Sequence, residues 1–179
     1  MMTSKDEERW MELDALNDTV TEATRAGELP FTDEEWATWP KWYVHALSQL
    51  RLYVTADEIV FLSSSLTGDE SQGGEVFALT ETHAILLTVT PASSTSKVER
   101  WDRSMLNQMS VNKVPPYALP PSPTNSYGGW PKGLAVTLRY EGRDPLSVPY
   151  DNASPSCSAQ LAAQHESLKE DLPHRRRSS

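Results

Sequence analysis

The side chains able to do chemistry are few and scattered. His45, His83, His165 and His174 are the only histidines, and none forms HExxH or a two-histidine helical pair with a carboxylate, the spacings that hold zinc. No metal site is expected. Acyl transfer needs a nucleophile held by a base and an orienting group, and the chain carries neither a GxSxG elbow nor a Cys-His motif. Cys157 is the single cysteine; it leaves no internal disulfide and no multi-cysteine metal site, and it fits a reducing compartment. Near the start of a helix, a dipole could lower its pKa and make it reactive. A small buried apolar filler explains it as well and is the expected role. The glycine pairs of GGEVF and YGGWPKG lack phosphate-loop or dinucleotide spacing and read as turns. Asp6, Glu7, Glu8, Glu12, Asp14 and Asp18 lack EF-hand spacing and read as a solvated helix face. His45 falls near an aromatic helix face, where a hydrogen-bonded structural role is expected, while His83 follows a turn and meets solvent. The chain is therefore read as a non-catalytic binding or adaptor module without cofactor. The alternative is a small enzyme assembled from separate loops, whose sign would be a deep pocket joining two or more of His45, His83, Asp102 and Tyr140.

Sixteen Lys and Arg against twenty-five Asp and Glu give a net charge of -9, which repels phosphate backbones and anionic lipid over a Debye length of about 8 Å. Nucleic acid and phosphoinositides are disfavoured as partners. Arg175, Arg176 and Arg177 belong to a basic, disordered tail over 173–179. The N-terminus has no signal-peptide stretch, and the apolar runs fall far short of the roughly 20 residues of a membrane span. A cytoplasmic location is expected. A length of 179 residues suits one core, and six Trp, six Tyr and three Phe can fill it.

The elements that must position these groups change along the chain. Ser4 and Glu7 match a capping box, Leu13, Leu16, Val20 and Ala23 recur at helical spacing, and Gly27 supplies a stop. The apolar stripe is narrow, so this helix needs a partner surface: the chain's own sheet, or a second copy in a homo-oligomer. In LPFTDEEW, Thr32 reads as N-cap, Glu35 as its reciprocal partner, and Phe31 as a staple onto Trp36. Trp36, Trp39, Trp42, Tyr43, Ala46, Leu47 and Leu50 then hold one face, expected to dock on the sheet, with a kink or restart at Pro40. After Arg51 the pattern turns to strands at about 52–55, 58–65, 75–80, 83–90, 97–102, 108–111, 134–140 and 145–150, antiparallel because they are closely spaced. Glu81 and Thr82 join two of them without the usual glycine, whereas EGRD is a clear turn. A helix from about Ser154 to Pro173 closes the chain. Residues 112–132 form a long proline-rich loop that cannot pair in a sheet; Tyr117, Tyr127 and Trp130 within it are candidate partner contacts, and its PPSP meets a PxxP spacing.

FALTETHAILLTV, VERWDRSMLNQMSV, GLAVTLRYEGRDPLSVPY and SAQLAAQHESLKED follow one another between about Asp57 and Leu168. Their order and spacing resemble bacterial members of the pleckstrin-homology-like superfamily. The chain departs from that pattern in its proline-rich insert, in His83 where the turn often carries a basic residue, and in a helical N-terminal third that the resemblance does not cover. The resemblance implies an α+β fold: a strongly bent antiparallel sheet or partly open barrel whose two layers cross, plugged by the last helix. Two N-terminal helices over 1–50 would pack on a domain of 51–172. Relatives bind lipids, peptides or proteins, or only support assembly, so the resemblance implies a class and no site. Lipid-binding versions depend on a basic mouth, and here only Lys97, Arg100, Arg103 and Lys113 lie near the corresponding loop, diluted by Glu99 and Asp102. Protein contact is the expected function.

Overall fold

A computed structural model describes residues 4–32, 36–113 and 134–173. In chain order the described elements are α1 (Ser4–Ala23), α2 (Lys41–Arg51), β1 (Phe61–Ser64), β2 (Gly74–Leu79), β3 (His83–Thr90), β4 (Thr95–Asp102), β5 (Leu106–Lys113), β6 (Ala135–Tyr140), β7 (Leu146–Val148) and α3 (Ser156–Asp171). β1 to β4 form one antiparallel sheet and β5 to β7 a second, both in sequence order, with no closed barrel. The α+β class is as the sequence indicates.

Apolar residues at successive positions of β2 and β3, such as Val76, Phe77, Ala78 and Leu79, cannot all face one layer, so their sheet must be covered on both sides. Cross-strand register sorts the faces. Leu62, Val76, Ala78, Ile85, Leu87 and Val89 share one face, and α1 and α2 lie against it, α2 on β3 and β4 and α1 on β1. The other face carries an aromatic row: Phe61 to Phe77, with ring centroids 6.4 Å apart, Phe77 to Trp101 at 6.4 Å, and Trp101 to Tyr140 at 5.3 Å. Because Tyr140 belongs to β6, this row is the bond between the two sheets. Phe61–Phe77 and Trp101–Tyr140 meet edge-to-face and Phe77–Trp101 is tilted; aromatic pairs add about 0.5–1.5 kcal/mol each beyond the area they bury.

The helical layer follows from its sequence pattern. Leu13, Leu16, Val20 and Ala23 of α1 are buried with Trp42, Tyr43, Ala46, Leu47 and Leu50 of α2, and the Tyr43 hydroxyl donates to Asn17 Oδ1 at 3.0 Å across the two helices. Pro40 restarts the helix rather than kinking it: a single 3-10 turn covers Trp36–Thr38, and the Pro40 carbonyl then accepts from the Tyr43 and Val44 amides. Phe31 packs edge-on against Trp42 and Tyr43; the expected contact with the Trp36 side chain and the Thr32–Glu35 capping pair lie outside the described residues. The strand expected at 52–55 is absent. Leu52 and Tyr53 instead continue the end of α2, their amides bonding to the Gln49 and Leu50 carbonyls, and a 3-10 turn at Ala56–Glu58, capped by Thr55 and Glu58, delays β1 until Phe61.

Three contacts fasten the chain's early and late parts. Beyond α1 the Arg25 amide bonds to the Asn152 carbonyl at 3.1 Å, the Ser154 amide bonds to the Ala23 carbonyl at 2.9 Å, and Thr24 and Ala153 make an isolated bridge. The Cys157 thiol, at the start of α3, lies 3.4 Å from the Ala23 carbonyl and 3.3 Å from that of Leu62. The β2–β3 turn solves its lack of glycine through Thr80, whose Oγ1 accepts the Thr82 and His83 amides, a side-chain substitute for a backbone turn.

Burial also fixes the response to base. It raises the Cys157 thiol to about 11 and pushes the Tyr43, Tyr140 and Tyr150 hydroxyls well above their ordinary value. With folded pKa values above unfolded ones, the unfolded chain loses these protons first. Their stabilisation is complete below about pH 8.5 and declines as pH rises from there through the folded values. Denaturant midpoints should therefore fall steadily above about pH 9. Three of the six tyrosines should release phenolate absorbance only together with unfolding; free titration of all six in the folded chain would contradict this burial.

Candidate functional site

Where the two sheets splay apart beyond the aromatic row, an open groove of about 840 Å³ runs between them. Glu75, Leu86, Glu99 and Trp101 supply the wall from the first sheet, and Tyr140 with the β6–β7 turn and Leu146 supply the opposite wall. Register explains the first wall. Leu86 is paired with Glu99, and Trp101 with Ala84, so all point to the same side as Phe77. Asn107 and Gln108 of β5, both exposed, close one side.

The turn Glu141–Asp144 reaches over this wall. Gly142 sits at φ +70, a backbone conformation that costs a residue with a Cβ about 1 kcal/mol or more. Arg143 follows it and lays its guanidinium over the Trp101 indole, 4.0 Å from the ring centre. Its Nη1 donates to Glu99 Oε1 at 3.0 Å, and Lys97 approaches the other oxygen at 3.3 Å. The Arg143 hydrogen bond, assisted by Lys97, holds the Glu99 carboxyl below the usual carboxylate range. The Tyr150 hydroxyl donates to Glu75 Oε2 at 3.0 Å. Trp101 Nε1 and the Tyr140 hydroxyl are buried and find no hydrogen-bond partner among the described residues. The groove is thus lined by Trp101, Leu86 and Leu146, by a stacked cation, and by the charged side chains Glu75, Glu99, Arg139 and Asp144.

The residues singled out from sequence are only partly brought together. Tyr140 lines the groove; His45 is exposed on α2, and His83 and Asp102 oppose each other across β3 and β4 on the helix-covered face of the sheet. His45 therefore does not have the packed setting expected for it. It falls between the buried positions Tyr43 and Ala46, on the far side of the helix. His83 is half-buried rather than free, its ring 3.1 Å from Arg100 Nη2 and 2.7 Å from the Thr82 hydroxyl. Cys157 is a buried filler whose thiol burial pushes up, opposite to activation by a helix dipole. Tyr117, Tyr127 and Trp130 lie in 114–133, outside the described residues; Asn112 and Lys113, assigned to that loop, belong to β5.

Of the basic residues expected near a mouth, Arg103 and Arg100 are committed elsewhere, Lys97 meets the groove carboxylate Glu99, and the Lys113 side chain lies outside the described ones. Arg103 is 2% exposed and buried in a network: Nε donates to Asp171 Oδ2 at 2.8 Å, Nη1 to the Thr80 carbonyl at 2.9 Å and Nη2 to the Ser167 hydroxyl at 2.8 Å. It ties α3 to the β2–β3 turn. Lys97 faces Glu99, and Arg100 stacks toward His83.

No family model, curated protein or solved structure matches this chain.

Among the described residues no group of three or more His, Cys, Asp or Glu side chains is placed to hold a metal ion, and no helix is long and apolar enough to cross a membrane.

Proposed function

We propose that the chain is a non-catalytic binding module of the pleckstrin-homology-like class, and that the groove between its sheets takes a segment of a partner protein. The groove itself carries the reading: Arg143 lies over the face of Trp101, which is packed on the buried Tyr140, and Leu86 and Leu146 line the same groove beside charged residues. The class draws support from the succession of elements, two layers of antiparallel strands and then a helix packed on β1, which is the order the resemblance implies. A cytoplasmic setting belongs to the same proposal and is consistent with the buried free thiol of Cys157. A homo-oligomer through α1 would have to use its outward face, which includes Met11 at 71% exposure, since Leu13, Leu16, Val20 and Ala23 lie in the chain's own core.

Partner retention from native extract tests the groove. The parent chain, Asn107→Trp at the exposed groove edge, and Met11→Lys on α1 as a distant control should be compared under identical salt. A discrete partner held by the parent and by Met11→Lys, and lost from Asn107→Trp, is the expected outcome. Equal retention by all three would move the contact away from the groove.

A further inference from the structure

We propose that the Trp101–Glu99 seat recognises an arginine side chain of the partner, and that Arg143 is a built-in competitor occupying that seat in the free chain. The inference rests on the groove reading above and adds the chemistry of the occupant. The seat already holds a guanidinium in the geometry that such a group seeks, with an aromatic face 4.0 Å beneath it and a carboxylate oxygen 3.0 Å from one nitrogen. Three carboxylates, Glu75, Glu99 and Asp144, line the groove with two arginines, and Lys97 also reaches Glu99; the chain's net charge of -9 draws a basic segment toward it and repels an acidic one. A planar, stacking, fork-shaped cation fits better than the compact ammonium of lysine.

Arg143 is also placed to leave. It sits in the β6–β7 turn, outside the paired residues of either strand, its side chain is 27% exposed, and among the described residues the side-chain contacts it would give up are to Glu99 and the Trp101 face, while its amide stays bonded to the Tyr140 carbonyl. Swapping one guanidinium for another keeps the Glu99 carboxylate paired and the indole covered, so neither is left exposed or unpaired during exchange.

The test follows Trp indole N–H resonances of the full chain during titration with Nα-acetyl-arginine amide, Nα-acetyl-lysine amide and Nα-acetyl-leucine amide. Arg143→Gln, which keeps the stem and removes the charge, should bind the capped arginine about tenfold more tightly than the parent and prefer it to the capped lysine. Adding Glu99→Gln should abolish that gain. Melting curves check that each variant folds; should Arg143→Gln fail, Arg143→Ala takes its place. Equal arginine binding by parent and Arg143→Gln, or a gain that survives Glu99→Gln, overturns the arginine seat. If the capped leucine perturbs the same indole while the capped arginine does not, the arginine seat falls and the protein-contact reading stands. Loss of partner retention equally from Asn107→Trp and the α1 control would remove that reading, whatever the arginine titration gives.

Discussion

Trp42→Ala is expected to destabilise the chain by about 3 to 5 kcal/mol, the range for deleting a large buried aromatic. Trp42 is 3% exposed and meets Phe31 and Tyr43 edge-on, with ring centroids at 5.9 and 5.6 Å. Its loss opens a cavity at the junction where α2 packs on β3 and β4, and Phe31 and Tyr43 lose a ring contact together. Stability of a domain is about 5 to 15 kcal/mol, so the variant should sit near the edge of folding. At roughly 2 to 4 °C per kcal/mol for a chain of this size, the melting temperature should drop by about 6 to 20 °C. A variant melting within a degree or two of the parent would mean that this aromatic face is not core.

Asp171→Ala should be similarly costly, for a different reason. A carboxylate in the last turn of a helix opposes the helix dipole, and here only Arg103 makes sense of it. Removing the carboxylate leaves a guanidinium that is almost wholly buried with one neutral carbonyl and one hydroxyl as partners. Stranding a buried charge costs about 3 to 5 kcal/mol. Replacing both members, as Arg103→Met with Asp171→Leu, should recover most of that loss, because a packed apolar pair avoids the desolvation that the ion pair only offsets. Chemical denaturation of Arg103→Met, Asp171→Leu and the double closes a thermodynamic cycle. If the double variant is as unstable as Asp171→Ala, the network is holding the β2–β3 turn in shape through the Thr80 carbonyl rather than balancing charge.

What could be read from the sequence was local and periodic. The face of Trp39, Trp42, Tyr43, Ala46, Leu47 and Leu50 repeats at helical spacing and is buried as that pattern requires, and Leu134, Val136 and Leu138 alternate as strand residues and are buried. Leu52 to Thr55 misled because their β-favouring side chains sit at a helix end, where amides that find the Gln49 and Leu50 carbonyls outweigh weak propensity. His45 misled through its neighbours, since one residue along a helix turns the side chain by about 100°. Arg103 and Asp171 lie far apart in sequence, and nothing near either one announces the other. The groove was invisible for the same reason: Glu75, Glu99, Trp101 and Arg143 come from separate elements and meet only once two sheets have formed. Even the Trp101–Arg143 stack has no sequence spacing to betray it.

The fastening of Ala23, Thr24 and Arg25 to Asn152, Ala153 and Ser154 bears on how the chain is made as well as how it stands. During synthesis, α1 emerges well before the backbone groups that anchor its end and the thiol of Cys157 beside them. Until then Leu16 and Val20 lack their final surroundings, and α2 waits with its aromatic face for β3 and β4. Contacts of such long sequence separation slow folding, because closing the loop costs entropy before any of them forms. A nascent chain stalled before α3 should therefore carry an unclosed apolar layer, a natural target for chaperone binding. The folded domain gains its cooperativity from that same late closure, in which segments far apart in sequence lock each other in place.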